Sequence, residues 1–180
     1  TIDRDISASG RGPNAANAAG AVLSIGYNDF AGGLTLGAGV GEGRATSAYG
    51  ISTISGGLDL GTGGGAVMYG NGNWVISGIV NASESANDRF VKTQALLATT
   101  LWLQNAANNF TDSIRLDSGT VRVSDNGALG LNAGTQALDF NGGRLEVRSD
   151  VPNFGSRNVN IRGNTSQIFV DRGIGGSGLN

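Results

Sequence analysis

The chain has 180 residues, no Cys, no His, and 12 basic against 14 acidic residues, for a formal net charge of -2. This excludes a disulfide framework, thiolate or imidazole metal sites, and Ser-His-Asp or Cys-His catalysis, and it leaves no basic stripe for nucleic acid. The 39% hydrophobic residues suffice for one core, no apolar run is long enough to cross a membrane, and 32 Gly is more than twice the usual ~7% share, which points to many tight turns.

In chain order, residues 1–21 are polar and Ala-rich. Phe30-Ala31-Gly32-Gly33-Leu34-Thr35-Leu36 then recurs as Ile54-Ser55-Gly56-Gly57-Leu58-Asp59-Leu60, a shift of 54 − 30 = 24 residues. From Asp59 to Glu84 no charged residue intervenes. Ala66 to Ile76 carries the apolar-x-apolar, corner, apolar-x-apolar pattern that returns at Ser113 to Val123, and again at Ala137 to Val147. The second of those shifts is 137 − 113 = 24, and the first is 113 − 66 = 47, close to two periods. Between these copies, Ala82 to Asn109 offers a helix reading, with Ser83 as a cap and Ala95-Leu96-Leu97-Ala98 as good helix formers. Strands near Phe90-Val91 and Leu101-Trp102-Leu103 are preferred, because they supply the coil missing between the Trp74 and Val121 copies. A looser copy runs from Val159 and Ile161 through Gly163 to Ile168 and Val170. The chain ends in a Gly-rich stretch from Gly173.

Strands of three to five residues cannot bury themselves alone, but stacking successive coils at ~4.8 Å lines their apolar side chains into one core. A 24-residue period suits three short strands and three corners. The expectation is an all-β, right-handed parallel β-helix: one segment over residues 1–180, clearest over 66–170, with about seven coils and a length of ~35 Å. Alternation predicts Ile114, Leu116, Val121, Val123, Leu138, Phe140, Leu145 and Val147 buried, and Arg115, Arg122, Arg144 and Glu146 exposed. The strand at Ile114 should pair in parallel with the strand at Leu138. The competing architecture is an antiparallel sandwich, since Asn141-Gly142-Gly143 also reads as a hairpin turn. A fixed spacing with a similar corner in each copy favours the solenoid.

One stretch carries a family resemblance. Leu101-Trp102-Leu103-Gln104, Asn108-Asn109-Phe110-Thr111, Ile114 to Val123 and Asn126-Gly127-Ala128-Leu129-Gly130 succeed one another in the order of the autotransporter-associated β-strand repeat, which they resemble. Trp74 to Gly78 and Val91-Lys92-Thr93 are similar to the residues that precede that repeat, and Leu138 to Leu145 to its usual continuation. Asp112-Ser113 departs from the Gly-Gly usual there. The resemblance covers about Gly72 to Asp150. It implies the passenger region of a type V secreted protein: extracellular or displayed on the bacterial surface, a piece of a longer chain, with no catalytic residues in the repeat itself.

Candidate sites are few. Glycoside hydrolysis needs two carboxylates about 5–9.5 Å apart. Asp117 instead stacks on Asn141, and Asp139 aligns with Arg115, which suggests a cross-coil ion pair. Gly175-Gly176-Ser177-Gly178-Leu179-Asn180 approximates a calcium repeat but ends in Asn, so no metal or cofactor is expected. Trp74 aligns with the core positions Val121 and Leu145. Trp102, between Leu101 and Leu103, should point outward and is the candidate contact residue. The expected function is a non-catalytic structural or adhesive rod. It would contact a host or cell-surface ligand, or associate with itself or a longer chain of the same protein. The alternative is a carbohydrate-active β-helix enzyme or polysaccharide-binding module.

Overall fold

The computed structural model describes residues 1–9, 20–37, 43–61, 65–82, 89–92, 99–111, 113–131, 137–149 and 157–171. Its strands, in chain order, are β1 (Asp5–Ala8), β2 (Val22–Ile25), β3 (Asn28–Phe30), β4 (Gly33–Leu36), β5 (Gly43–Tyr49) and β6 (Ile51–Ile54). They continue with β7 (Leu58–Asp59), β8 (Ala66–Tyr69), β9 (Asn73–Ile76), β10 (Val80–Asn81), β11 (Arg89–Lys92) and β12 (Thr100–Leu103). The last six are β13 (Ser113–Leu116), β14 (Thr120–Val123), β15 (Ala137–Phe140), β16 (Arg144–Arg148), β17 (Asn158–Ile161) and β18 (Gln167–Asp171).

These strands form a parallel β-solenoid with three walls. The first wall is a seven-stranded sheet in the order β2-β5-β8-β11-β13-β15-β17, and the second runs β3-β6-β9-β12-β14-β16-β18. The third is shorter, β1-β4-β7-β10. Every strand pair is parallel, and Ile114 pairs with Leu138 at the expected offset of 138 − 114 = 24. Intervals elsewhere vary from 121 − 101 = 20 to 34 − 6 = 28 residues, so the corners and the third side absorb differences in coil length.

The eight side chains expected inside are all buried. In the second wall, Phe30, Ile54, Ile76, Leu103, Val123 and Val147 stack into one inward column. Trp74, Leu101, Val121 and Leu145 form the next column. Trp74 is fully enclosed, lies 6.3 Å from the Phe30 ring centroid, and donates its indole N–H to the Tyr69 carbonyl at 3.1 Å. That bond removes the penalty of burying an unpaired donor. At the last described rung the inward residues Val159, Ile161, Ile168 and Val170 are exposed.

Three expectations need correction. The ungapped template holds for Trp74 but slips by one on β8, where Ala66 aligns with Phe90 and so with Ile114. The corner between Met68 and Trp74 is one residue longer than that between Leu116 and Val121. Arg115, Arg122, Arg144 and Glu146 were expected exposed, but the three arginines are half-buried, and Glu146 points outward yet is only 5% exposed, because the guanidinium groups of Arg122 and Arg148 lie over it. The Arg115–Asp139 ion pair does not form, although the two are register partners. Arg115 turns along its own strand to Asp117 at 2.6 Å, and Asp139 is met by Arg162 of the next coil at 2.8 Å. The 82–109 segment contains β11 and β12 where strands were preferred, with residues 83–88 and 93–98 outside the described set.

The third side changes character after β10. No further strand is described there. In its place come Asn105–Phe110 and a 3-10 turn at Asn126–Leu129, with Asp125 capping the turn by accepting from the Gly127 N–H. Asn108 spans the gap. It is 2% exposed, its Oδ1 accepts from the Val80 N–H at 2.8 Å, and its Nδ2 donates to the Ala128 carbonyl at 2.8 Å. One amide therefore supplies the two backbone partners that a strand would have given.

Candidate functional site

With the core filled, any contact chemistry sits on the outer faces. On the second wall, Val75, Trp102, Arg122, Glu146 and Phe169 form one outward column, by register. Trp102 faces outward and is half-buried. Its own segment lacks charge, but the next coil brings the Arg122 guanidinium to 5.7 Å from its ring centroid. The indole N–H of Trp102 is enclosed and has no hydrogen-bond partner. Contact between coils thus covers part of the residue that sequence singled out.

From Arg122 the column continues as an ion-pair network. Glu146 lies 2.8 Å from Arg122 and 2.6 Å from Arg148, and Arg148 reaches Asp171 at 2.9 Å and stacks on Phe169. Burial works against the charged form of Glu146. Hydrogen bonds from Arg122 and Arg148, with their charges, outweigh burial and hold the carboxyl below its ordinary value. The network is internally neutralised, so it offers little free charge to a ligand.

On the third wall, a shallow cavity of about 230 Å³ opens over the paired glycines Gly32-Gly33 and Gly56-Gly57. Asp5, Thr35, Asp59 and Asn81 line it. Thr35, Asp59 and the neighbouring Asn81 are stacked by register, and Asp59 accepts from the Gly61 N–H at 2.7 Å. Oxygen and amide groups spaced by one coil suit a hydroxyl-rich ligand. Among the described residues, no group of three or more His, Cys, Asp or Glu is placed to hold a metal ion. The calcium-like sequence at 175–180 lies outside the described residues.

One exposed apolar surface among the described residues was not anticipated. Leu23, Ile25, Tyr27, Tyr49 and Ile51 are all exposed, Leu23 on the outer face of β2 and the other four where the first wall turns into the second, in two adjacent coils. Ile25 pairs with Tyr49, and the next register, Asn28 with Ser52, sets Tyr27 beside Ile51. Gly26 and Gly50 lie between them. Gly50 has φ +83°, and a Cβ there would stand 2.5 Å from the Gly26 carbonyl oxygen, so the two coils touch backbone to backbone at this corner. A register shift in the β2–β5 pair skips Ala48 and directs Tyr49 outward. The signal was present in sequence: Ile25-Gly26-Tyr27 and Tyr49-Gly50-Ile51 are 49 − 25 = 24 residues apart. The charge-free run from Leu60 to Ser83 supplies core, since Leu60, Ala66, Val67, Met68, Trp74, Ile76 and Val80 are buried.

The fold defines a parallel β-solenoid with one continuous apolar core. No family model, curated protein or solved structure matches the chain. No helix among the described residues is long and apolar enough to cross a membrane.

Proposed function

We propose that this chain is a stretch of the passenger region of a type V secreted bacterial protein, working outside the cell as a non-catalytic structural or adhesive rod. The observation that carries the reading is the fit of the resembling motif to the physical needs of a coil. Asn108 bridges two neighbouring backbones, Phe110 is buried, and Gly130 adopts φ +80° where a Cβ would strike Phe110. The motif residues therefore serve stacking, which leaves outer faces and corners for contact. Such a rod acts by display: a stiff core holds side chains at fixed spacing toward a host or cell-surface ligand, or toward further copies.

The test is location and turnover. In the source bacterium, antibody against this segment should label intact cells or the culture medium, and external protease should remove the signal. Retention in the cytoplasmic fraction would overturn the reading. Turnover of an acidic polysaccharide that one substitution in this segment abolishes would overturn its non-catalytic part. The cavity over Gly33 and Gly57 favours a second reading, a polysaccharide-binding module. Asp59→Ala with Asn81→Ala should then abolish glycan-array binding without altering the circular dichroism spectrum.

A further inference from the structure

We propose that the apolar corner formed by Leu23, Ile25, Tyr27, Tyr49 and Ile51 is the face through which two copies of this chain associate about a two-fold axis. The inference rests on the reading that the rod associates with itself, and it names the surface.

The first argument is area. The five residues are exposed by 53%, 60%, 79%, 61% and 40%, in the order named. Together they present about 550 Å², at the upper end of the largest apolar patch on an ordinary monomer. Face to face, two such patches remove at most about 1,100 Å² from water, near the lower bound of a specific interface. None of the five is charged, so no ion is desolvated when they meet.

The second argument is shape. The two coils form a two-by-two grid, with Ile25 and Tyr27 in one row and Tyr49 and Ile51 in the next. Ile25 stands over Tyr49, and Tyr27 over Ile51. A two-fold axis lying in the interface along the rod sets Ile25 against Tyr27 of the second copy, and Tyr49 against Ile51. An axis across the rod sets Ile25 against Tyr49, and Tyr27 against Ile51. Either way each ring meets an aliphatic side chain, and no two rings compete for the same space. The patch is complementary to itself, as an isologous interface requires. The glycines at the centre of the grid leave room for the phenol rings to seat.

Sedimentation velocity on the purified chain, across a concentration series, tests the proposal. The unmodified chain should show a monomer–dimer equilibrium. Tyr27→Glu with Tyr49→Glu should weaken dimerisation at least tenfold while the circular dichroism spectrum stays unchanged, since both side chains are exposed. Trp102→Lys should leave dimerisation unaltered. A dimer that survives the double substitution and is lost in Trp102→Lys keeps self-association and overturns this surface. A chain that stays monomeric at the highest concentration overturns both.

Discussion

Replacing Asn108 with Ala isolates what holds the third side together beyond β10. The side chain is 2% exposed and makes two bonds of 2.8 Å, one accepted from the Val80 N–H and one donated to the Ala128 carbonyl. Alanine leaves a buried donor and a buried acceptor unpaired, each costing about 1–3 kcal/mol. The expected loss is about 2–6 kcal/mol, a large part of the stability of a typical domain. Urea unfolding monitored by far-UV circular dichroism reads the global effect. Hydrogen exchange at the Val80 amide reads the local one, which matters because stacked coils can open piecewise. Protection at Val80 should fall more than at Ile54 in the second wall. Asn108→Asp separates the two bonds. A carboxylate still accepts from Val80 but cannot donate to Ala128, so this variant should be destabilised at least as much as the alanine variant. An Asn108→Ala protein within about 0.5 kcal/mol of the parent, the range of neutral surface changes, would refute the bridging role.

Glu146 carries a pH signature. Its folded carboxyl titrates below the ordinary value of 4.5, so its contribution is complete above that value and is lost as pH falls through the lower folded value. Glu146→Gln should cost about 1–2 kcal/mol at pH 7, less than a fully buried pair because its arginines are a third exposed. The parent and the variant should converge in urea midpoint once the pH is well below 4.5. Gly130→Ala should cost about 1–3 kcal/mol by thermal melting, because it combines a left-handed φ of +80° with a contact of 2.5 Å to the Phe110 carbonyl. Arg157 donates to Asn126 Oδ1 and to the carbonyls of Asn126, Leu129 and Gly130. Arg157→Lys, with one ammonium in place of a planar fork, should raise hydrogen exchange in the Asn126–Leu129 turn while leaving β14 protected.

The core was legible because period-2 alternation and a repeat near 24 act together: a residue such as Leu145 is inward by alternation and stacked by period. Charge placement was less legible. Arg115 has Asp139 as its register partner, yet a carboxylate two residues along its own strand is closer to hand, and a long guanidinium side chain takes the nearer partner. Glu146 was read from alternation alone, which gives the direction of a side chain but not what the adjacent coils lay over it. Trp102 shows the same gap, since Arg122 is distant in sequence and adjacent in the stack. The exposed corner escaped because Ile25 is an apolar residue at an outward position of β2 and Tyr49 follows a register shift that breaks the alternation of β5. An apolar-Gly-apolar triplet at the repeat interval marks such a corner.

The unequal length of the walls has a mechanical consequence. Two sides of the rod are continuous ladders of backbone hydrogen bonds through seven rungs. Beyond β10, the third side is joined by contacts such as the Asn108 amide and the Arg157 guanidinium. A rod built this way has no uniform bending stiffness: its C-terminal half should yield most readily when flexure opens or closes the third side, and resist when the load falls on the ladders. Under a bending load, that seam would flex first while the apolar stack behind it remained closed.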